Sequence, residues 1–512
     1  MANIEELKTE RLKKLNLLKQ NGINPFKNKG QMTIDNKSFL ESFITETENE
    51  AVSEVKTFAI LDDVSDKNEV LVGRIMNMRS FGALTFFKIY DGYDTVQIVA
   101  EATHKAKDEV SNEMSSGIEC IEYINKYLDV GDFVQVEGVR YITKKGERSL
   151  LIHNIEILTK SLLPLPDKWS GIEDEDLRLR LRYMDILTDS NLREMIEKKS
   201  VFYKSIRRFF DQREFVHVDT PTLEVTTGGA EAAPFKTYHN DYDIELYMRI
   251  SIGELWQKRL MAAGMPKTYE IGRAYRNEGS SPNHLQEFTN IEFYWAYADY
   301  NMGMDLVREL YRYIAIETFG KTRFTARDHT FDLADEWIEI SYVDEILKQT
   351  NLDVLASSIT NIKEKLKSLN VKSDGETKER LVDSLWKYCR KNISGPAFII
   401  GYPDFMQPLA KRNEINTNIV EQFQVLLGGA EIGKGYSELN DPLDQRARFD
   451  HQQAMRANGD DEAMMPDYDY VEMLEHGMPP TCGFGFGERL FAFLMDKPIR
   501  EVQIFPLMKP KI

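Results

Sequence analysis

The chain has 512 residues, 42% of them hydrophobic and 29% charged, with a net charge of −18. That length exceeds a single hydrophobic core and predicts two or three domains, while the acidic balance excludes bulk cation-driven nucleic-acid binding but not RNA recognition through local basic patches and stacking. No apolar run reaches membrane-spanning length, the N-terminus carries no apolar signal core, and Cys120, Cys389 and Cys482 form neither a CxxC pair nor a disulfide framework, so a cytoplasmic protein with no membrane partner is expected.

Leu7, Leu12, Leu15 and Leu18 recur near helical spacing among Lys8, Arg11, Lys13, Lys14 and Lys19. This predicts an amphipathic helix over residues 1 to about 22, whose basic face is either solvated or an arm for an RNA backbone. Residues 28–68 are polar and mixed, and 1–68 as a whole reads as an N-terminal extension. From 69 the texture changes. Strand-like runs at 70–75, 85–92, 96–99, 132–138 and 150–153 are bounded by Gly or Asp turn signals, with a helical interruption near 104–127. About five short strands suggest an OB-fold barrel over 69–160, a fold that binds single-stranded nucleic acid by stacking bases on aromatic rings.

Leu162-Leu163-Pro164-Leu165-Pro166-Asp167 reads as a linker, because two prolines stop regular structure; the connection is placed over 161–180. A second domain is expected over 181–512. It begins with a long helix from Asn191 to Arg213 that runs into a strand and Pro221. Strands alternate with helical turns from 240 to 300. Helices rich in Lys and Glu near 341–395 read as an insertion, and strand character returns at 397–400, 423–427 and 502–505. The expected class is α+β, an antiparallel sheet with helices on one face.

Chemistry concentrates in three segments. Tyr275-Arg276-Asn277-Glu278-Gly279, with Glu287-Phe288-Thr289 close behind, makes a compact nucleotide clamp. Arg276 offers a fork of donors to a phosphate, Glu278 accepts from an exocyclic amine, and Phe288 presents a flat face to a purine. A second arginine element lies far downstream in Gly483-Phe484-Gly485-Phe486-Gly487-Glu488-Arg489-Leu490. Between them, Glu431-Ile432-Gly433-Lys434-Gly435-Tyr436-Ser437-Glu438 supplies hard oxygen ligands suited to magnesium, which bridges nucleotide phosphates. The run 428–434 also matches most of a P-loop, but Gly435 stands where that loop needs Ser or Thr.

The two arginine segments resemble motifs 2 and 3 of the class II aminoacyl-tRNA synthetases, and the helix, strand and proline around 191–223 resemble motif 1. Tyr269-Glu270-Ile271-Gly272-Arg273 and Glu292-Phe293-Tyr294 are most similar to the lysyl-tRNA synthetases. The resemblance runs from the barrel to Pro506. It implies an OB-fold anticodon domain joined to a class II catalytic sheet, a homodimer, and ATP-dependent activation of lysine followed by transfer to tRNA(Lys), with magnesium.

It also implies roles. Arg276 would grip the α-phosphate and the attacking carboxylate, and Arg489 and His284 the far phosphates. Phe288 and Arg489 would sandwich the adenine, with Glu278 on its amine. Glu254 would take the α-amino group of lysine; Glu292, Tyr294 and Glu438 would take the ε-ammonium. Glu431 and Gln424 would face the metal, and Phe86, Gln97 and Glu147 would read the anticodon. Four departures stand out: Gln424 in place of a metal-binding Glu, Lys434 in place of an Asn that contacts the amino acid, a third motif one residue short at Gly487-Glu488-Arg489, and one extra residue in Ser251-Ile252-Gly253. The rival readings are an asparagine or aspartate synthetase of the same subclass, a non-catalytic RNA-binding paralogue, and a ligase that lysylates a protein, a group that lacks the barrel.

Overall fold

Alternating burial builds the N-terminal unit of the chain. Helices α1 (Ile4–Gln20) and α2 (Asn36–Glu41) precede strands β1 (Glu69–Ser80), β2 (Leu84–Tyr90) and β3 (Thr95–Glu101), helix α3 (Gly117–Tyr127), and strands β4 (Phe133–Ile142) and β5 (Arg148–Thr159). The strands close into a barrel in the order β1-β2-β3-β5-β4. Every second residue of β2 is buried, as one face on a core requires, and Leu71, Phe87, Ile98, Val136 and Ile152 meet inside.

The computed structural model describes residues 4–43, 68–107, 114–166, 172–230, 232–373, 375–457 and 463–511, divided between the units Met1–Glu173 and Asp174–Ile512. Parts of the expected extension (1–3 and 44–67), of the helical interruption (108–113) and of the expected linker (167–171) lie outside the described residues. The expected extension is not a body apart. Leu18 of α1 and Phe39 of α2 join the barrel core. On the basic face of α1, buried Arg11 donates to the carbonyls of Val130 and Leu163, both at 2.8 Å, and Lys14 pairs with Asp129 at 2.9 Å. Those two cations anchor the helix, while Lys13 and Lys19 face solvent. The boundary expected at 181 falls at 174, where Asp174 caps a short helix by accepting from the Leu177 amide at 2.7 Å.

In the second unit, α4 (Ser190–Asp211) starts where Asp189 accepts from the Asn191 amide at 2.9 Å. Its buried stripe runs Leu192, Met195, Phe202, Ile206, Phe209, Phe210. Next come β6 (Val216–His217), α5 (Glu254–Ala262), β7 (Lys267–Tyr275), β8 (Glu287–Ala296), α6 (Tyr300–Phe319) and β9 (Ile338–Ser341). Then follow helices α7 (Tyr342–Thr350), α8 (Ile359–Ser368) and α9 (Lys378–Cys389), strands β10 (Ala397–Pro403), β11 (Ile419–Leu427), β12 (Ala430–Ser437) and β13 (Thr481–Gly487), and α10 (Arg489–Leu494).

The eight-stranded sheet has the order β9-β10-β11-β12-β13-β8-β7-β6. Its inner pairs are antiparallel, and the two outermost pairs are parallel. The helical stretch near 341–395 is therefore the crossover between parallel neighbours β9 and β10, a connection that such a pair requires. Helices cover both faces, not one. Phe293, Phe423 and Phe484 pack with α4 and α6 on one side; Tyr294, Leu426 and Tyr436 pack with α5, α7 and α9 on the other. The strand expected at 502–505 does not form. The carbonyl of Val502 accepts from buried Lys199 at 3.0 Å, and that of Gln503 from buried Arg182 at 3.4 Å, so side chains take the place of a ladder.

Candidate active site

The repeated Gly-Phe of β13 is a two-residue period written in size. Phe484 and Phe486 point into the aromatic core, which leaves Gly483, Gly485 and Gly487 on the opposite face. That bare face is the floor of a cleft of about 330 Å³. A Cβ at Gly483 would collide with the Glu438 carboxylate and the Tyr294 ring, and one at Gly485 would press on Glu292 at 3.0 Å. The glycines thus leave room on the cleft face for the Glu438, Tyr294 and Glu292 side chains.

Register places the flanking side chains. Across the sheet, Gln424 pairs with Lys434, Lys434 with Gly485, and Gly485 with Glu292. Leu426 pairs with Glu431, so Ile432 and Gly433 together stand against Val425 alone. This bulge brings Glu431 and Lys434, three residues apart, onto the same face; a regular strand would put them on opposite faces. Gly433 adopts φ +151°, and a side chain there would strike Phe484 and Tyr311.

One end of the cleft is acidic and dry. Glu254 opens α5, and Lys258, one turn on, lies fully buried between Glu254 at 2.9 Å and Glu438 at 2.5 Å. Burial alone would lower the Lys258 pKa, but the two carboxylates overcome it and raise it. The Tyr436 hydroxyl donates to Glu254. Glu292 accepts from Asn290 at 2.9 Å, from the Ile252 amide at 3.3 Å and from the Tyr294 hydroxyl at 3.1 Å. Burial, with Glu254 nearby, pushes the Glu292 pKa up to about 8. Burial does the same to Glu438, where Lys258 opposes the rise and Glu254 adds to it. With all three carboxylates ionised, the state that a cation beside them favours, they exceed the one ammonium by two negative charges. The sequence alone assigns no role to Lys258, Tyr436 or Asn290. The i, i+4 spacing of Glu254 and Lys258 was the readable signal for the first.

The other end is cationic and more open. Arg276 leaves β7 with its Nε donating to the Ile250 carbonyl at 3.3 Å and its guanidinium 5.3 Å from the centre of the Phe288 ring. Burial lowers its pKa, opposed by Glu278 and Glu292. His284 is exposed, with Nδ1 2.7 Å from the Ser281 hydroxyl. Arg489, at the start of α10, is within electrostatic reach of Arg327, Arg390 and Glu431. All of the expected nucleotide residues — Arg276, Glu278, His284, Phe288, Glu431 and Arg489 — line the same cleft as the acidic cluster.

The donor set at this end is poor in carboxylates. Glu431 accepts from the Trp386 indole at 2.7 Å and stands 3.7 Å from Arg390. Gln424 accepts from the Tyr402 hydroxyl. Among the described residues, no group of three or more His, Cys, Asp and Glu side chains could hold a metal ion. The residues fit a magnesium ion carried in on phosphates and touched by Glu431; they do not fit a second ion held between Glu431 and Gln424.

In the barrel, taken by itself, Phe87 enters the core and Phe86 faces out against exposed Phe81, with ring centres 6.5 Å apart. Gln97 pairs in register with Lys88 and donates to Ser149 at 3.0 Å, and Lys88 reaches Glu147 at 2.9 Å. Phe86, Gln97 and Glu147 thus share one outer face around Lys88, a residue the sequence reading passed over although it stands two positions from Phe86.

Comparison with known proteins agrees with this geometry. Residues 174–509 match the family described as tRNA synthetases class II (D, K and N), and residues 70–158 match the OB-fold nucleic acid binding domain. The lysine–tRNA ligase of Thermotoga maritima is 36% identical over 99% of this chain and 97% of its own length. That of Halalkalibacterium halodurans is 38% identical over 99% and 98%, and that of Trichormus variabilis 37% over 99% and 88%. The chain belongs to the class II tRNA synthetases, among relatives named lysine–tRNA ligases.

Proposed function

We propose that the chain is a lysine–tRNA ligase. It joins the carboxylate of lysine to the α-phosphorus of ATP, releasing pyrophosphate, and then passes the lysyl group to a terminal ribose hydroxyl of tRNA(Lys), releasing AMP. The observation that carries the choice of amino acid is the charge imbalance of the dry end. Once ionised beside bound cations, Glu254, Glu292 and Glu438 exceed Lys258 by two charges, and free lysine brings two ammonium groups. Aspartate or asparagine brings one, and its side chain carries no cation to pair with the buried carboxylates.

In this reading Glu254 receives the α-amino group, and Glu292, Tyr294 and Glu438 hold the ε-ammonium. The substrate carboxylate then points along the glycine floor toward Arg276. Adenylate formation needs alignment and charge neutralisation more than covalent catalysis. Arg276 neutralises charge growing on the α-phosphate and orients the attacking oxygen. Phe288 stacks on the adenine, Glu278 accepts from its amine, and Arg489 and His284 receive the outer phosphates. A magnesium ion bound to the phosphates would add charge neutralisation, with Glu431 as its protein ligand.

The barrel presents Phe86, Gln97 and Glu147 to the anticodon. A homodimer is the reading supported by the motif 1 resemblance and by exposed Val201 on α4 and exposed Ile504, Phe505 and Leu507 near the C-terminus. The reaction belongs in the cytoplasm, where tRNA and ATP are; no helix of the described residues is long and apolar enough to cross a membrane. ATP–pyrophosphate exchange with each amino acid in turn tests the reading. Exchange that depends on lysine is expected; exchange with aspartate or asparagine, or none at all, would refute it.

A further inference from the structure

We propose that Lys434, together with the Gln424 amide, is a phosphate-binding pair that takes the place of a second divalent cation at the nucleotide. The inference rests on the reading of the cleft as an ATP site. Gln424 and Lys434 are direct cross-strand neighbours, and both line the cleft. The bulge at Ile432–Gly433 turns Lys434 onto the same face as Glu431. The Tyr402 hydroxyl occupies the Gln424 carbonyl oxygen, which leaves the NH2 as the group to meet a ligand. An amide NH2 and an ammonium are both donors; neither ligates magnesium, and both suit phosphate oxygens.

Nearby Glu431 is already engaged by Trp386 and close to Arg390. A metal held there by protein would meet one carboxylate, already shared, and an added positive charge across the strand. Phosphate oxygens would meet two donors in Lys434 and Gln424, with the one nearby carboxylate, Glu431, already engaged by Trp386 and Arg390. Lys434 also stands on the strand position beside Gly485, and its Nζ lies 5.6 Å from the centre of the Tyr436 ring, so it sits at the junction between the acidic and cationic ends of the cleft. A fixed ammonium at that junction repels the substrate's own ammonium groups and fixes which end takes the phosphates.

The test is nucleotide binding by the full-length protein, with a non-hydrolysable ATP analogue in titration calorimetry, in saturating magnesium and in EDTA, and with bound manganese counted by electron paramagnetic resonance. Wild-type affinity in EDTA should stay within about tenfold of its magnesium value. Lys434→Asn should lose at least about tenfold more in EDTA than in magnesium. Gln424→Glu combined with Lys434→Asn should restore affinity only with metal and bind roughly one more manganese ion per chain than wild type. Lys434 is exposed and Glu at 424 can still accept from Tyr402, so both variants should keep the wild-type Tm. Equal weakening of Lys434→Asn with and without metal, or an unchanged manganese count in the double variant, overturns the proposal. So does loss of lysine affinity in Lys434→Asn with analogue affinity intact, which would place the ammonium on the amino-acid carboxylate. A wild type that binds no analogue overturns the ATP reading of the cleft, and the inference with it.

Discussion

The two ends of the cleft solve opposite problems by opposite means. At the dry end, Glu254, Glu292, Glu438 and Lys258 are all buried and held by the sheet and α5 through bonds that exist before any substrate arrives. At the other end, Glu278, His284 and Arg489 are exposed, and His284 and Glu278 stand in the loop between β7 and β8. A pocket that must tell one amino acid from another depends on fixed, desolvated charge, where a mismatched side chain leaves a buried group unpaired. A site for a polyanion shared by many enzymes tolerates looser, solvated cations, because charge neutralisation is less demanding of position.

The largest effect is expected where the two ends meet. Arg276→Ala should reduce pyrophosphate exchange by at least about a thousandfold, roughly 4 kcal/mol, since this side chain acts on charge that develops in the transition state. The stability of the fold should hardly change, because Arg276 takes part in neither apolar core of its unit. Exchange within about threefold of wild type, roughly 0.6 kcal/mol, would remove Arg276 from the chemistry. Next comes Glu292→Gln, which should cost roughly 2–5 kcal/mol of lysine affinity while analogue affinity holds. Equal losses for both ligands would erase the distinction between the ends.

Much of this site was legible in the chain, and the gaps have physical causes. Arg276, Glu278, Phe288, Glu431 and Arg489, which line one cleft, could be picked out because their motifs are local in sequence. The acidic end was found through resemblance for its carboxylates, but its counter-charge was missed: Lys258 matters only because folding brings Glu438, far along the chain, within 2.5 Å of it. The Trp386 bond that occupies Glu431 comes from α9, inside a stretch read as an insertion. The glycine floor was visible as a pattern, and its meaning required knowing that the phenylalanines face the core. The strand expected at 502–505 failed for a similar reason, since nothing in its alternation reveals that Lys199 and Arg182 claim its carbonyls.

A residue outside both ends sharpens the comparison. Phe86→Ala, in the barrel, should cost roughly 1–3 kcal/mol of tRNA affinity through the loss of one stacking platform. Pyrophosphate exchange, which needs no tRNA, should stay at the wild-type level. A matching fall in exchange would mean that Phe86 supports the fold rather than the anticodon, and its half-buried contact with Phe81 would be the reason.

A pH dependence separates the two ends most cleanly. In the empty cleft burial raises the pKa of Glu292, and likewise of Glu438, to about 8. An ammonium arriving beside them favours the ionised form and lowers those values in the complex. Below about 8 the free protein therefore holds protons that the complex does not, so lysine binding releases them and affinity rises with pH. The rise should reach at most about tenfold per unit for each proton released and level off above pH 8, while the side-chain ammonium of lysine, titrating near 10.4, stays charged. Calorimetry in buffers of different ionisation enthalpy would count the protons directly. Glu292→Gln should remove one proton from that count, and the proton count for the ATP analogue should be the same in Glu292→Gln as in wild type. A lysine affinity that is flat between pH 6 and 8 with no proton release would mean the carboxylates are already ionised in the empty cleft, and the dry end would lose the electrostatic tension assigned to it.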